Sequence, residues 1–363
     1  MASIRKQPNA RWKVTYWTPD GLAQRSKTFD RKVDAERFAA KVETVKADGD
    51  WVDPRRGRIT LGEWVEQWWP MIVHLSASTR ATRRAILDRH VLPKFGRVQL
   101  GRITHTSVAS WVADLHESGL APATIEKCHQ VLSGVLQGAV DAEILSRNVA
   151  VKVVRPRVHQ QEMRFLDAAQ IADLAAAHPE RYRALVFTTA YGGFRFGEVA
   201  GLRRRRIDPS GRVRVEETCV EVAGDLHWGV PKTDAGRRTV ALPSFVTAML
   251  CEHQTRWSQP GPHGLVFTGA DGGPLRRSNY RNRIWLPALK QAGLEGLRFH
   301  DLRHTAVALW VRAGANVLEV KRRAGHTRST FTLDRYGHLF PDADEGLAAR
   351  LDSMYGENGD SPS

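Results

Sequence analysis

Two short stretches without hydrophobic period divide this chain before anything else is read from it. Asp53-Pro54-Arg55-Arg56-Gly57-Arg58 and residues 151–161 (VKVVRPRVHQQ) place Pro, Gly and basic residues where a regular element needs spaced apolar positions. They separate three blocks, 1–55, 60–150 and 163–356, from each other and leave a polar tail, 357–363, expected to be disordered. A chain of 363 residues has the length for two or three domains, each with its own core.

Each block has a different period. In the first, residues 11–18 (RWKVTYWT) alternate polar with apolar, as a half-buried strand does. Pro19-Asp20-Gly21 is a turn signal, residues 22–29 read as a second strand, and Asp30 can cap a helix carrying Val33, Phe38, Val42 and Val45. This small sheet bears Arg5, Lys6, Arg11, Lys13, Arg25 and Lys27. Such a sheet is either a solvated face over a small core or a DNA reader, since a β-ribbon fits the major groove. The second block is helical in pattern at 61–73, 78–91, 106–118 and 124–145, which makes a compact bundle. Trp64, Trp68 and Trp69 are expected in its core, and Arg80, Arg83, Arg84 and Arg89 line its second helix. The third block is mixed but mainly helical. Helices are expected at 167–178, 180–192 and 194–204, strands at 213–222, 227–231 and 238–242, and further helices to about residue 356. The fold class expected is thus a sheet-plus-helix unit, an all-α bundle and a mainly-α domain with a small antiparallel sheet.

Charge narrows the partner. Lys and Arg number 54 against 39 Asp and Glu, a net charge of +15, which favours a polyanion. No run of 18 apolar residues exists, and the first ten residues hold no apolar stretch. Nucleic acid is therefore expected rather than a membrane, in a cytoplasmic setting close to the nucleoid. Cys128, Cys219 and Cys251 are too far apart for a zinc pattern and are expected as reduced packing residues.

The third block holds the chemistry. His300 and Arg303 are three apart at the start of a helical pattern and share one face. On an ordinary surface helix the pair means little. Beside a phosphate it offers a planar fork and a proton carrier. Three other stretches bring compatible groups. Gly192-Gly193-Phe194-Arg195-Phe196-Gly197-Glu198 sets Arg195 at a helix start, with Glu198 able to brace it. Pro231-Lys232-Thr233 sets Lys232 before a turn. Ala324-Gly325-His326 precedes Leu333-Asp334-Arg335-Tyr336-Gly337-His338. Two Arg, two His, a Lys and a Tyr, with no acidic cluster for a metal, fit phosphoryl transfer through a covalent tyrosine without a cofactor. Tyr336 is the candidate nucleophile and Tyr191 its rival, which reads as core. The run Arg203-Arg204-Arg205-Arg206 is either a solvated face or a further DNA contact.

The ordered set GFRFGE, PKT, HDLRHT, AGH and LDRYGH resembles the tyrosine recombinases, and among them the phage-type integrases, over residues 164–351. Ala324 and Phe196 depart mildly from the family pattern. The preceding β unit and bundle are similar to those of integrases that bind arm-type and core-type sites. The resemblance implies that Arg195 and Arg303 clamp the scissile phosphate and that Lys232 protonates the departing 5′-oxygen. It implies that His300 assists proton transfer, His326 bonds a non-bridging oxygen, and Tyr336 forms a 3′-phosphotyrosine. It also implies a homotetramer on two duplexes, a host DNA-bending factor and an excision directionality factor. On this basis Arg11, Lys13, Arg25, Lys27, Arg80, Arg83 and Arg84 are candidate DNA contacts, and the apolar stripe at Leu347, Leu351 and Met354 would dock on its own or a neighbouring protomer. The competing readings are a chromosome-dimer recombinase, a type IB topoisomerase and an architectural DNA-binding protein with a dead site.

Overall fold

A computed structural model describes residues 2–18, 24–47, 55–158, 163–340 and 351–354. The turn at 19–21, Leu22, the linker ends 53–54 and 159–161, Leu347 and the tail from 357 lie outside the described residues. The chain forms two compact units, Met1–Gln160 and Gln161–Ser363.

The first unit opens with strands β1 (Ser3–Lys6), β2 (Trp12–Trp17) and β3 (Gln24–Phe29) in an antiparallel sheet of that order, followed by helix α1 (Lys32–Ala47). β1 is a strand that the sequence pattern does not announce. Val14 and Tyr16 are buried against Ala35, Ala39 and Val42, so one sheet face is covered by α1. Residues paired across an antiparallel ladder share a face. Lys27 pairs with Val14 and Arg25 with Tyr16, which puts both on the helix-covered side. Lys27 Nζ accordingly lies over the rings of Phe29 and Phe38, at 5.4 and 5.1 Å. Arg5 pairs with Lys13, and that pair shares the opposite, open face with Thr15 and Trp17. The basic residues of this sheet therefore do not form one surface. Arg11 precedes β2, and its Nε meets the carboxylate of Asp30, the expected helix cap, at 2.8 Å.

The bundle follows with α2 (Leu61–Trp68), α3 (Ala77–Ile86), α4 (Leu92–Phe95), α5 (His105–Glu117) and α6 (Pro122–Asp141). Thr60 and Glu63 close a reciprocal capping box on α2. Pro122 sits in the first turn of α6, where its missing N–H breaks no helical bond. Leu61, Trp64, Trp68, Leu87, Phe95 and Leu132 are in the core, and Trp64 Nε1 donates to the Val135 carbonyl at 3.0 Å. Trp69 is only half-buried. The Arg80 and Arg84 guanidiniums stack over it at 5.5 and 5.7 Å, and Arg84 also pairs with Glu66 and Asp88. Arg83, on the same helix, is half-buried.

The second unit carries α7 (Ala168–Ala176), α8 (Glu180–Gly192) and α9 (Phe196–Ala200), then β4 (Arg212–Val215), β5 (Thr218–Val222), β6 (Asp225–Gly229) and β7 (Arg238–Ala241). Helices α10 (Ser244–Arg256), α11 (Arg277–Tyr280), α12 (Leu286–Gln291), α13 (Asp301–Arg312), α14 (Val317–Ala324) and α15 (Ser329–Tyr336) complete it. The single strand expected at 213–222 is two strands in two ladders, β4 with β7 and β5 with β6. The break falls at Glu216-Glu217, whose carboxylates are drawn off by Arg206 and Arg203. Ala223 and Gly224 both have positive φ, 52° and 91°, and close the β5–β6 hairpin. The helix expected at 194–204 ends at Ala200, and the arginine run beyond it braces the fold. Arg203 holds Glu217 and the His263 carbonyl, and Arg204 holds the Gln254 carbonyl. Cys128 and Cys219 are buried as expected, but Cys251 is exposed, because it faces outward from α10. Leu351 and Met354 are exposed.

Candidate active site

Helix α13 organises the site. Its first residue, Asp301, accepts from the Arg298 backbone N–H and from the Arg298 guanidinium, each at 2.7 Å, which ties the start of the helix to the turn before it. Leu302, Ala306 and Val307 anchor it in the core. His300, Arg303 and His304 then project from one end of a rigid element.

Arg303 is almost wholly buried, yet it is bonded. It donates to the Gly193 carbonyl at 2.6 Å and to the Ala324 carbonyl. Those carbonyls belong to the C-terminal ends of α8 and α14, where helix carbonyls lack partners and the macrodipole is negative. The chain must turn sharply at each of these ends. Gly193 and Gly325 have φ of 66° and 63°, and a Cβ on Gly193 would lie 2.5 Å from the Trp310 ring. This is why the sequence reads GGF and AGH there. Burial, then the cations of Arg195 and Arg238, push the Arg303 pKa down to about 9, so it stays charged at neutral pH.

Arg195 caps α9 and is the accessible guanidinium, with its side chain 42% exposed. Glu198 holds it twice, accepting from the Arg195 backbone N–H and from Nη1, each at 2.8 Å. The amide at this helix start is therefore satisfied by Glu198 rather than left open to an anion. The same carboxylate accepts both Nη groups of Arg238 at 2.9 Å. Burial alone would raise the Glu198 pKa. The Arg238 bonds, with the charges of Arg238 and Arg195, outweigh that and hold it at about 2. Nothing in the sequence marks Arg238, which reads there as one residue of a strand.

His326 follows Gly325, and its Nδ1 lies 3.0 Å from Thr332 Oγ1. Its ring stacks with Tyr336, centroids 6.2 Å apart and planes 9° from parallel. Tyr336 is 1% exposed at the end of α15, and its hydroxyl lies 2.5 Å from Nδ1 of His304. Burial raises the phenol pKa, and the Arg303 and Arg335 cations oppose that. His300 keeps an exposed edge beside His304, ring centroids 5.0 Å apart. Burial of the rest of its ring, then Arg303 and Arg195, push the His300 pKa well below the ordinary value. Arg195, His300, Arg303, His326 and Tyr336 are thus gathered at the same end of the unit by a connected set of contacts. Lys232 is not. It is exposed on the connection between β6 and β7 and pairs with no acidic group among the described residues. His304 is not among the residues expected from the sequence, although a signal is there: a second His one turn after His300.

The rival tyrosines have other work. Tyr191 packs edge-on against Phe245 at 5.0 Å. Tyr280 is buried among Tyr182, Trp285 and Phe299, with its hydroxyl 3.1 Å from His178 Nε2. Two basic clefts open beside the cluster. One, of about 760 Å³, is lined by Arg195, His300, Arg277 and Arg281, and the other, of about 830 Å³, by His326, Arg237, Arg322 and Arg323.

A buried Tyr hydroxyl among two Arg and several His, flanked by basic clefts, is an arrangement whose charge suits an anionic ligand. Residues 159–342 match the phage integrase family, and residues 60–116 match its N-terminal SAM-like domain. A phiRv2 prophage integrase of Mycobacterium tuberculosis is 30% identical, covering 97% of this chain and 95% of its own. The Tn1549 transposon integrase in complex with a circular intermediate DNA superposes with TM-score 0.69 at 17% identity, covering 81% of this chain and 99% of that one. A lambda integrase tetramer bound to a Holliday junction gives TM-score 0.55 at 15% identity, covering 90% and 96%. The chain belongs to the phage integrase family. It is a site-specific integrase, a tyrosine recombinase. No helix among the described residues is long and apolar enough to cross a membrane.

Proposed function

We propose that Tyr336 is the nucleophile of this recombinase and that Arg195, Lys232, His300, Arg303 and His326 serve the same phosphoryl transfer. The observation that carries the reading is the hydroxyl of Tyr336, held between the ring of His326 and the helix that bears His300 and Arg303. In the reaction the Tyr336 oxygen bonds to phosphorus and the bond to the 5′-oxygen breaks. Arg195 and Arg303 stabilise charge on the non-bridging oxygens, with His326 donating beside them. Lys232 protonates the departing 5′-oxygen, and His300 helps the phenol proton leave. The 3′-phosphotyrosine conserves the diester's free energy, so rejoining needs no ATP and the chemistry needs no metal.

The related integrases are seen on DNA, one as a tetramer on a Holliday junction, and the same assembly on duplex DNA is assigned to this chain. Residues 60–150 and 163–356 would grip core-type sites, and residues 1–55 arm-type sites. For the arm contact the open sheet face with Arg5, Lys13 and Trp17 is favoured over Arg25 and Lys27. A host DNA-bending factor and an excision directionality factor would set the direction, in the host cytoplasm at the nucleoid. The test is a nicked duplex that traps the covalent adduct. Mass spectrometry should place the nucleotide on the peptide containing Tyr336, and Tyr336→Phe should bind DNA yet form no adduct. Adduct on Tyr191 or Tyr280 would overturn the assignment.

A further inference from the structure

We infer that His304 is the positioning residue for the nucleophile, holding the Tyr336 hydroxyl in a fixed orientation relative to Arg303 and His300. The inference rests on Tyr336 being the nucleophile.

Three observations carry it. First, the contact is direct, Nδ1 to Oη at 2.5 Å, and both groups are buried, so water does not compete for either. Second, His304 lies next to Arg303 and one turn after His300 on α13. One rigid helix therefore fixes the cations and the hydroxyl together, which is how positioning lowers a barrier. Third, the direction of the bond can be argued. A phenol donates more readily than it accepts, because its lone pair is drawn into the ring. A neutral imidazole nitrogen is a good acceptor. Burial, followed by the neighbouring His300 and Arg335, holds the His304 pKa at about 4, so the ring is neutral at physiological pH. Tyr336 then donates to Nδ1, and the His304 proton sits on Nε2, which is buried and has no partner among the described residues. With its hydrogen directed at Nδ1, the phenol oxygen keeps its lone pairs for phosphorus.

The test is single-turnover cleavage of the nicked duplex by the full chain. His304→Ala should slow cleavage on the order of 10²-fold, as a misplaced reacting group does, with duplex affinity unchanged. His304→Asn places an amide oxygen where Nδ1 was and should recover most of the rate. His304→Gln places it one bond farther along and should not. In protein labelled with 3-fluorotyrosine, the Tyr336 fluorine resonance, assigned by its loss in Tyr336→Phe, should move in the Ala variant and return in the Asn variant. A wild-type rate in His304→Ala overturns the inference, as does an Asn variant as slow as Ala with its resonance unmoved. The two readings fail separately. Adduct formation by Tyr336→Phe removes the nucleophile assignment, whereas an inactive Tyr336→Phe beside a fully active His304→Ala removes only the positioning role.

Discussion

Glu198 and Arg238 form a buried two-pronged ion pair, both N–O distances 2.9 Å, with side chains no more than 3% exposed. Neither touches the proposed nucleophile. Their importance is that the same carboxylate holds Arg195, the accessible guanidinium of the site. Breaking one side of such a pair strands a charge without solvent. Glu198→Ala should lower unfolding free energy by about 3–5 kcal/mol, read by urea denaturation. Cleavage should fall as well, because Arg195 loses its brace. A stability change below about 1 kcal/mol would mean that water reaches Arg238.

Arg303 poses a different case. Its two carbonyl bonds join the ends of α8 and α14, so the guanidinium is both structural tie and proposed phosphate clamp. Arg303→Lys keeps a charge but cannot span both carbonyls and still present a fork. Cleavage should fall on the order of 10²-fold, with duplex affinity changed little. Equal losses in binding and cleavage would show that Arg303 positions DNA and does not stabilise the transition state.

The histidines set the acid limit. His304 and His326 are held near pKa values of about 4 and about 3, and His300 is also lowered. The unfolded chain binds protons to these rings near pH 6.5, where the folded chain does not. Stability is therefore complete above that pH and is lost as pH falls toward about 4. Glu198 stays ionised in the folded chain until about pH 2, so its own contribution begins to be lost only at the acid end of that window, where the unfolded carboxylate takes up a proton. The thermal midpoint should fall between about pH 6.5 and 4, and His326→Asn should flatten the fall. An unchanged slope in that variant would remove His326 as a contributor.

Much of this is legible in the sequence, for a physical reason. Motifs that depend on local geometry announce themselves: Gly192-Gly193 by the break before Arg195, Asp167 by a helix start, and the blocks by period. What escapes depends on pairing between distant segments. Strand β1 is four residues of polar character. The break between β4 and β5 is fixed by Arg203 and Arg206 capturing Glu217 and Glu216 across a turn. Arg238 and His304 matter through partners 40 and 32 residues away. No spacing rule marks Arg238, and His304 shows only as a second His one turn after His300.

The N-terminal sheet offers a test by face. Arg5 and Lys13 pair on the open side, whereas Lys27 lies over Phe29 and Phe38 on the helix side. Removing one cation that meets a phosphate should reduce the salt slope of binding by about 1. Arg5→Ala and Lys13→Ala should do so for a second, arm-type site and leave core-site cleavage intact. Lys27→Ala should act mainly on stability, because its ammonium lies over the two rings. Equal effects of all three on the salt slope would show that DNA binding is not confined to the open face.

Lys232 carries the last prediction. It is exposed between β6 and β7 and bonded to none of the gathered groups. In a general-acid role it acts on the 5′-oxygen, which only bound DNA supplies, so the lack of a bond to the gathered groups in the free chain is no objection. A thiol leaves without protonation more readily than an alcohol does. Replacing the bridging 5′-oxygen by sulfur should therefore restore cleavage to Lys232→Ala, while Arg195→Lys and Arg303→Lys, which lack charge stabilisation on the other oxygens, should remain slow. Rescue of all three alike would show that the sulfur substrate merely lowers the barrier everywhere. No rescue of Lys232→Ala would take the proton from Lys232 and assign it to another group in the cleft.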